Sequence, residues 1–215
     1  MISHFCAGTS RLTIRHHKND LPNLDAYGDS VAIDTETLGL RPHRDRLCVV
    51  QLSPGDGTAD IVQISKGQTS APNIEKLLTD AGIQKLYHFG RFDIAVLFHA
   101  FGALSINNYC TKIASRLTRT YTDRHGLKDL CRELIGVDLS KQQQSSDWAA
   151  ETLTDAQLAY AASDVLYLHQ IRDALNKRLE REERTDFAQK CFQFLPTRCE
   201  LDLAGWEDQD IFSHS

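Results

Sequence analysis

The stretch VAIDTETLGL (residues 31–40) decides the fold, because an apolar run within it ends in two carboxylates. Val31 and Ile33 are β-branched residues, which favour a buried strand. Side chains alternate along a strand, so Asp34 and Glu36 point to the same face. Two acids on a buried face are costly unless a partner such as a divalent cation neutralises them. The alternatives are two surface acids at a strand end, or the N-cap of a helix.

Two further acidic residues lie in the stretches HFGRFDIAVL (88–97) and YAASDVLYL (160–168). Asp93 opens an apolar helix, where the helix macrodipole favours an acid even without a functional role. Asp164 lies among small and apolar residues, and Tyr160 precedes it by one helical turn on the same face. Tyr160 alone is equally typical of a core aromatic. Together with the first two acids, these carboxylates could hold two hard divalent cations, Mg²⁺ or Mn²⁺, through oxygen ligands.

Apolar runs separated by turn residues predict an α/β fold, with helices on the faces of a sheet. The predicted strands cover residues 30–34, 47–52, 59–64, 85–89 and 107–111, and RLTIRHH (11–17) is a further early strand. The predicted helices cover residues 72–79, 91–101, 112–117, 127–135 and 154–181. Thr154 and Gln157 form a capping box that begins the last of these helices.

The composition predicts one globular domain over residues 1–215, with a core of about residues 25–185 and a C-terminal tail over 186–215. The tail carries large apolar residues without a clean period, which are Phe192, Phe194, Leu195, Leu203, Trp206, Ile211 and Phe212. It either packs back on its own domain or lies in a subunit interface, where aromatic residues are enriched.

Charge, apolar runs and cysteine spacing restrict the class of protein. The net charge of −5 argues against tight binding of long duplex nucleic acid and is compatible with small oligonucleotides. No stretch approaches the about 20 apolar residues of a membrane span, and the N-terminus lacks the apolar run of a signal peptide. These features predict a soluble, cytoplasmic protein with no membrane partner. The six cysteines lack zinc-ligand spacing, so we expect free and mostly buried thiols.

The stretches DTE, HFGRFD and YAASD, in this order, resemble the three exonuclease motifs of the DEDD superfamily. The tyrosine of the last motif is typical of the branch with RNase D and the proofreading domains of polymerases. LSKQQQSSDWAAETLTDAQLAYAASDVLYL (139–168) resembles the RNase D signature, and the resemblance runs from about Val31 to Leu179. DTETLGLRPHRDRLCVVQLS (34–53), CTKIASRLTRTYTDRHGLK (110–128) and CFQFLP (191–196) resemble still more closely the nano-RNase C group, short RNase D-like enzymes that finish RNA dinucleotides.

The resemblance implies an RNase H-like DEDD exonuclease fold, with a central mixed five-stranded sheet flanked by helices. It implies that Asp34, Glu36, Asp93 and Asp164 hold two Mg²⁺ or Mn²⁺ ions, and that Tyr160 orients the attacking water. The implied activity is 3′-5′ exoribonuclease hydrolysis of very short RNAs, especially 5′-phosphorylated dinucleotides, to 5′-mononucleotides. The implied assembly is a homo-oligomer, with a ring-shaped octamer as one form.

Two other functions remain open on the sequence. One is a broader RNase D-like exonuclease that trims longer RNA 3′ ends or single-stranded DNA. The other is a non-catalytic nucleic-acid-binding module on the same fold, since a fold does not determine a function. The presence of all four acids and the tyrosine favours an active enzyme.

Substrate contacts are predicted from five residues around the first two motifs, which are Thr35, Leu40, His88, Phe89 and Arg91. Leu40 suits a wedge between the last two bases, and its alternative is a core leucine. Phe89 could stack on a base or belong to the core. Two departures from RNase D-like sequences lie nearby: HFGRFD replaces a common asparagine in the second motif, and Glu151-Thr152-Leu153 replaces Arg-Pro-Leu after Asp147-Trp148.

Basic and polar residues outside the motifs are secondary candidates. Phosphate contacts or solvated charges are the two interpretations of Arg116, Arg119, Arg124, His125 and Lys141. Gln142, Gln143 and Gln144, with Ser145 and Ser146, are expected to form a polar loop near the site. Trp148 is expected to have a structural role in fixing that loop, because an indole buries a large area.

Overall fold

A mixed sheet of seven strands forms the centre of the computed structural model, which describes residues 2–7, 10–140, 143 and 145–214. The strands are β1 (Ile2–Ala7), β2 (Ser10–Lys18), β3 (Ser30–Thr37), β4 (Leu47–Ser53), β5 (Thr58–Gln63), β6 (Gln84–Tyr87) and β7 (Asn108–Cys110). They follow one another across the sheet in the order β1-β2-β5-β4-β3-β6-β7.

The inner strands are those with the most apolar sequences. β3 pairs with β4 in antiparallel orientation and with β6 in parallel orientation, and Ile33 lies opposite Leu52. All seven residues of β4 are buried, so helices cover both faces of the sheet there. The register between β3 and β4 shifts at Glu36 and Thr37, where a bulge bends the end of the strand. The carboxylates of the first motif therefore lie at an irregular strand end, close to covering helices.

Helices flank the sheet and carry the other two motifs. They are α1 (Pro72–Thr79), α2 (Gly90–Phe101), α3 (Thr111–Thr118), α4 (Leu127–Leu130), α5 (Asp155–Val165), α6 (Leu168–Arg181) and α7 (Thr185–Leu201). Wider, π-helical turns follow α4 over Cys131–Ile135 and α7 over Asp202–Trp206. None of the helices in the described part of the chain combines the length and the apolar character that crossing a bilayer requires.

The predicted α/β fold class, RNase H-like with a mixed sheet flanked by helices, is confirmed, but the sheet has seven strands instead of five. The two additional strands are β1 and β2, which extend one edge. β2 contains the early strand predicted from RLTIRHH and pairs with β5 in parallel orientation. β1 was not predicted, because its sequence has no distinctive apolar pattern. It forms a strand by pairing with β2 in antiparallel orientation.

The prediction of one long helix over residues 154–181 is wrong, because this stretch forms two helices, α5 and α6. The division falls at Leu166 and Tyr167, and Tyr167 has φ −107° and ψ −3°. Neither glycine nor proline marks this point, so packing decides it. α5 packs on β4 and β5, whereas α6 packs on α3 and β6, and one straight helix would not follow both surfaces.

The tail contains the longest helix, α7, which packs on its own domain. Its buried residues are Ala188, Phe192, Leu195 and Cys199, at the three- and four-residue spacing of an amphipathic helix. Ala188 and Cys199 are small, which conceals the period in the sequence. The Phe192 ring lies 4.6 Å from the Tyr109 ring. α7 thus contacts its own domain through these four residues, whereas Phe187 and Phe212 are exposed.

Among the described residues, the expected free and mostly buried thiols and the expected capping box are both present. Cys48, Cys110, Cys131 and Cys199 are free and buried, Cys191 is free and exposed, and Cys6 lies outside the described side chains. Thr154 accepts a hydrogen bond from the Gln157 backbone N–H at 3.3 Å, and Gln157 Oε1 accepts from the Thr154 N–H at 2.9 Å. The capping box that begins α5 is confirmed.

The substitution Thr154→Ala should destabilise the protein, because α5 would begin without its capping hydroxyl. The expected loss is about 1 kcal/mol, which lowers the melting temperature by about 2–4 °C for a chain of this size. Differential scanning calorimetry measures it, with the exposed Thr152→Ala as the matched control. Equal melting temperatures for the two variants would contradict a capping role.

Candidate active site

Three of the four predicted acids form one cluster. Asp34 and Glu36 project from the end of β3, and Asp164 projects from α5, which packs against the sheet. A carboxylate oxygen of each lies within 4.8 Å of the others. Gln51 on β4 donates from Nε2 to Asp34 Oδ2 at 3.3 Å. Strand alternation and α5 packing thus bring together acids that are about 130 positions apart along the chain.

The fourth acid, Asp93, lies beside this cluster and outside the group of three. It is buried in the first turn of α2, and its Oδ1 accepts a hydrogen bond from the Thr35 hydroxyl at 2.7 Å. Thr35 is the residue between the two strand acids, so it links Asp93 to β3. After burial, repulsion from Asp93 contributes to the raised pKa values of Asp34, Glu36 and Asp164, because its carboxylate lies near the other three.

Burial raises the pKa of all four carboxyls, and repulsion from neighbouring acids adds to the rise for Asp34, Glu36 and Asp164. The pKa of Glu36 rises to about 8 and that of Asp164 to about 7, through burial first and neighbouring acids second. The pKa of Asp93 rises to about 7 through burial, and that of Asp34 rises well above its usual value for both reasons. No basic side chain in the described ranges forms an ion pair with any of the four.

This donor set fits hard divalent cations. Carboxylate oxygens are the ligands that Mg²⁺ and Mn²⁺ prefer. One buried and three partly buried acids, with no basic partner in the described ranges, are unfavourable when ionised, and a bound cation removes that penalty. The residues that could hold the ions are Asp34, Glu36 and Asp164 directly, with Asp93 alongside.

Tyr160 lies on α5 one helical turn before Asp164, as predicted, and faces the same cavity. Its ring centroid is 6.0 Å from that of Trp148, which is buried in the core as expected. Burial and then Asp164 raise the pKa of the Tyr160 hydroxyl. The hydroxyl therefore keeps its proton at neutral pH and can orient a neighbouring oxygen by hydrogen bonding.

A cavity of about 590 Å³ opens over the cluster, within the usual range for small-molecule sites. Its lining residues are Asp34, Thr35, Glu36, Thr37, Leu38, Gly39, Leu40, His88, Phe92, Gly126, Leu127, Lys128, Leu139, Ser145, Ser146, Trp148, Tyr160 and Asp164. Leu40 is 85% exposed on the rim, so it is not a core leucine. Lys128 also lines the cavity and was not predicted, because a single lysine outside the three motifs carries no distinctive signal in the sequence.

His88 and Phe89 occupy the turn that leads into α2. His88 Nδ1 lies 2.9 Å from the Thr111 hydroxyl, and burial followed by the charge of Lys112 lowers the pKa of His88 to about 3. His88 is therefore a neutral wall residue of the cavity. Phe89 has a left-handed backbone conformation with φ 73°, and its side chain is 44% exposed. Lys112 Nζ lies over the Phe89 ring, 4.5 Å from its centroid. The core interpretation of Phe89 is therefore excluded.

Two predicted arginines have structural partners. Arg91 lies outside the main cavity and donates from Nε and Nη2 to Asp202 at 2.6 and 2.7 Å. Arg119 is 1% exposed and forms an ion pair with Glu133. It is therefore neither a phosphate contact nor a solvated charge. The sequence could not reveal these partners, because a basic residue looks the same whether it binds phosphate or a distant acid.

The remaining secondary candidates fall into three groups: residues away from the main cavity, residues that line it, and residues outside the described part of the chain. His125 Nδ1 is 2.9 Å from the Ser115 hydroxyl, and the Arg124 carbonyl accepts from Arg119 Nη1 at 2.6 Å. Arg116 lines a separate cavity beside Phe89. Ser145 and Ser146 line the main cavity, and the Ser146 hydroxyl donates to Gln143 Oε1 at 2.7 Å. Lys141, Gln142 and Gln144 lie outside the described residues.

A sequence profile of the family described as 3′-5′ exonuclease matches residues 13–180, which include all the acids and Tyr160. The chain therefore belongs to the 3′-5′ exonuclease family. Ribonuclease D of Gluconacetobacter diazotrophicus is 35% identical over 157 residues, which are 73% of this chain and 39% of that protein. The chain thus spans about two fifths of the length of the ribonucleases D that it matches.

Within this family, the chain is similar to the nano-RNase C of Brucella melitensis. The structure described as Brucella melitensis NrnC bound to pGG has 68% identity and a TM-score of 0.93, over 95% of this chain and 100% of that one. The structure of the same protein with bound Mg²⁺ has 67% identity and a TM-score of 0.91, over 94% and 99% of the two chains. The resemblances to RNase D and to nano-RNase C are both confirmed.

Without divalent cations, the stability of the protein should fall as the pH rises from about 4 to about 8. The folded pKa values of Glu36, Asp93 and Asp164 lie above those of an unfolded chain, near 4. The folded state therefore binds more protons in this window, and its advantage is lost as those protons leave. Melting temperatures in EDTA at about pH 5 and pH 8 measure the effect, with Asp164→Asn as the comparison.

The variant should lose less stability over this range than the unsubstituted chain, because it carries one acid fewer. Added Mg²⁺ should stabilise the unsubstituted chain more at the higher pH, where the carboxylates are ionised. An Asp164→Asn protein that loses stability as steeply as the unsubstituted chain would contradict the assigned repulsion.

Proposed function

We propose that this protein is a divalent-metal-dependent 3′-5′ exoribonuclease that hydrolyses very short RNAs, especially 5′-phosphorylated dinucleotides, to 5′-mononucleotides. The observation that carries the proposal is the convergence of Asp34, Glu36, Asp164 and Tyr160 on one cavity, with Asp93 beside it. The high identity to a nuclease whose structure is described as bound to pGG supports the dinucleotide as substrate.

The four acids are proposed to hold two ions, Mg²⁺ or Mn²⁺. Mg²⁺ is supported by the similar Brucella melitensis protein, whose structure is described as bound to it. When bound, such ions supply a water of lowered pKa and stabilise the charge on the departing 3′ oxygen. The protein's contribution is rigidity: Thr35 holds Asp93 and Gln51 holds Asp34, so the oxygens keep their positions.

The Tyr160 hydroxyl is proposed to orient the attacking water. Burial raises the pKa of this hydroxyl, so its proposed role is to hold the water by hydrogen bonding and not to remove its proton. Trp148 packs against the tyrosine ring and limits its movement. Positioning of this kind contributes to the rate by holding the water in line with the phosphorus atom.

Substrate contacts are proposed from the cavity rim. Leu40 is exposed and would enter between two bases, and Phe89 offers an exposed aromatic face for stacking. Thr35 and His88 would border the nucleotide at the 3′ end, and Lys128 would meet a phosphate. Arg91 is predicted to act only indirectly, because Asp202 occupies its guanidinium.

Assembly and organisation are also part of the proposal. We infer a single exonuclease domain over residues 1–215, a cytoplasmic location and a homo-oligomer, with a ring-shaped octamer as one form. Exposed Trp206, Ile211 and Phe212 support self-association, since interfaces are enriched in aromatic residues. Closure of a ring around the sites would restrict long or folded RNA.

A broader exonuclease that trims longer RNA or single-stranded DNA is the second candidate. The similarity to ribonucleases D supports it, but it covers about two fifths of those proteins. A non-catalytic binding module is disfavoured by the raised pKa values in the acid cluster, since strongly perturbed carboxyls in a cavity are typical of active sites.

The substitution Asp164→Asn should lower the rate of dinucleotide hydrolysis by more than about a hundredfold, since metal stabilisation is worth several kcal/mol. The fold should remain, because the cluster loses repulsion. Steady-state kinetics with a labelled dinucleotide measures the loss, and the exposed Asp173→Asn on α6 is the matched control. Full activity in Asp164→Asn would exclude the metal assignment.

Substrate length distinguishes the two enzyme candidates. A 5′-phosphorylated dinucleotide should be cleaved much faster than a seven-residue RNA, with Mg²⁺ or Mn²⁺ and not with EDTA. Time courses with labelled RNAs of two to seven residues measure the rates. Equal rates, or faster cleavage of the seven-residue RNA, would favour the broader exonuclease.

A further inference from the structure

Two arginines fasten the segment 202–208 to the body of the protein. Arg91 donates from Nε to Asp202 Oδ2 at 2.6 Å and from Nη2 to Asp202 Oδ1 at 2.7 Å. Arg198 donates from Nε to Asp202 Oδ1 at 3.0 Å. Asp202 is buried, and a buried carboxylate held by two guanidinium groups is expensive to release. The segment is thus anchored at its first residue.

The same arginines also hold the backbone that follows. Arg91 Nη2 donates to the Glu207 carbonyl and Arg198 Nη2 to the Trp206 carbonyl, each at 2.6 Å. Gly205 has φ 102°, which allows the chain to turn back between these contacts. Chain ends are usually poorly ordered unless they are tied down. Here charge-assisted hydrogen bonds bring the segment back towards the active site.

The segment faces the loop that follows the first motif, across a second cavity of about 310 Å³. Leu40 and Phe92 line this cavity and also line the main cavity, so the two adjoin. Glu207 and Asp208 lie on its far side. The Glu207 carboxylate approaches His43 Nδ1 at 3.7 Å, which links the segment to the loop.

We propose that residues 202–208 form an end wall that limits the length of RNA accepted by the active site. This proposal rests on the proposed exonuclease function. A dinucleotide could lie across Leu40, with its 3′ nucleotide over the acids and its 5′ nucleotide in the second cavity. A longer strand that continues in this direction meets the backbone of residues 206–208 and the contact between Glu207 and His43. Further nucleotides require the wall to move.

The variant Arg198→Met tests the wall by removing one anchor without changing a residue of the active site. Lys190→Met on the same helix is the control, because Lys190 forms an exposed ion pair with Asp186. The ratio of kcat/KM for a seven-residue RNA to that for a dinucleotide should rise about tenfold in Arg198→Met. Limited proteolysis after residue 201 reports release of the segment.

Gly205→Ala is a second variant, which strains the turn and leaves α7 intact. If Arg198→Met does not unfold cooperatively, and so is not properly folded, the same ratio of kcat/KM is measured for Gly205→Ala instead. A ratio that stays at the unsubstituted value in a variant with a released segment would overturn the proposal. Failure of the unsubstituted chain to cleave dinucleotides would instead refute the proposed function, so the two outcomes are distinguishable.

Discussion

The mutual repulsion of four clustered carboxylates, one buried and three partly buried, is the constraint on which the site depends. Asp34 and Glu36 share one face of a strand, Asp164 reaches them from a helix, and Asp93 lies beside them through Thr35. Nothing basic in the described part of the chain neutralises them, so the fold keeps them together at a cost. A core of buried β-branched and leucine side chains supplies the stability that offsets this cost.

Rigid elements make the arrangement useful. The sheet fixes the strand acids, α2 and α5 fix the other two, and the capping box begins α5 at a defined residue. Two surface features then border this centre: the loop with exposed Leu40, and the C-terminal segment held by Arg91 and Arg198. The sheet and helices therefore position the proposed catalytic acids, whereas the surface loop and the C-terminal segment are the parts proposed to select the substrate.

The sequence predicted the acids and the fold class because both depend on local periodicity. Strand alternation places Asp34 beside Glu36, and helical spacing places Tyr160 beside Asp164. The roles of Arg91 and Arg119 could not be predicted, since their acidic partners lie 111 and 14 residues away along the chain. The division between α5 and α6 was not predicted for a related reason: packing on different surfaces determines it, and no glycine or proline marks it in the sequence.

The central claim is that these carboxylates hold a pair of cations beside the scissile phosphodiester. Anomalous diffraction from crystals grown with Mn²⁺ tests it most directly, because the signal locates each ion without reference to activity. Two peaks about 4 Å apart are expected, as in other two-metal sites, in contact with Asp34, Glu36 and Asp164 and with Asp93 close by. Crystals in which these side chains point apart, with no peak among them, would contradict it.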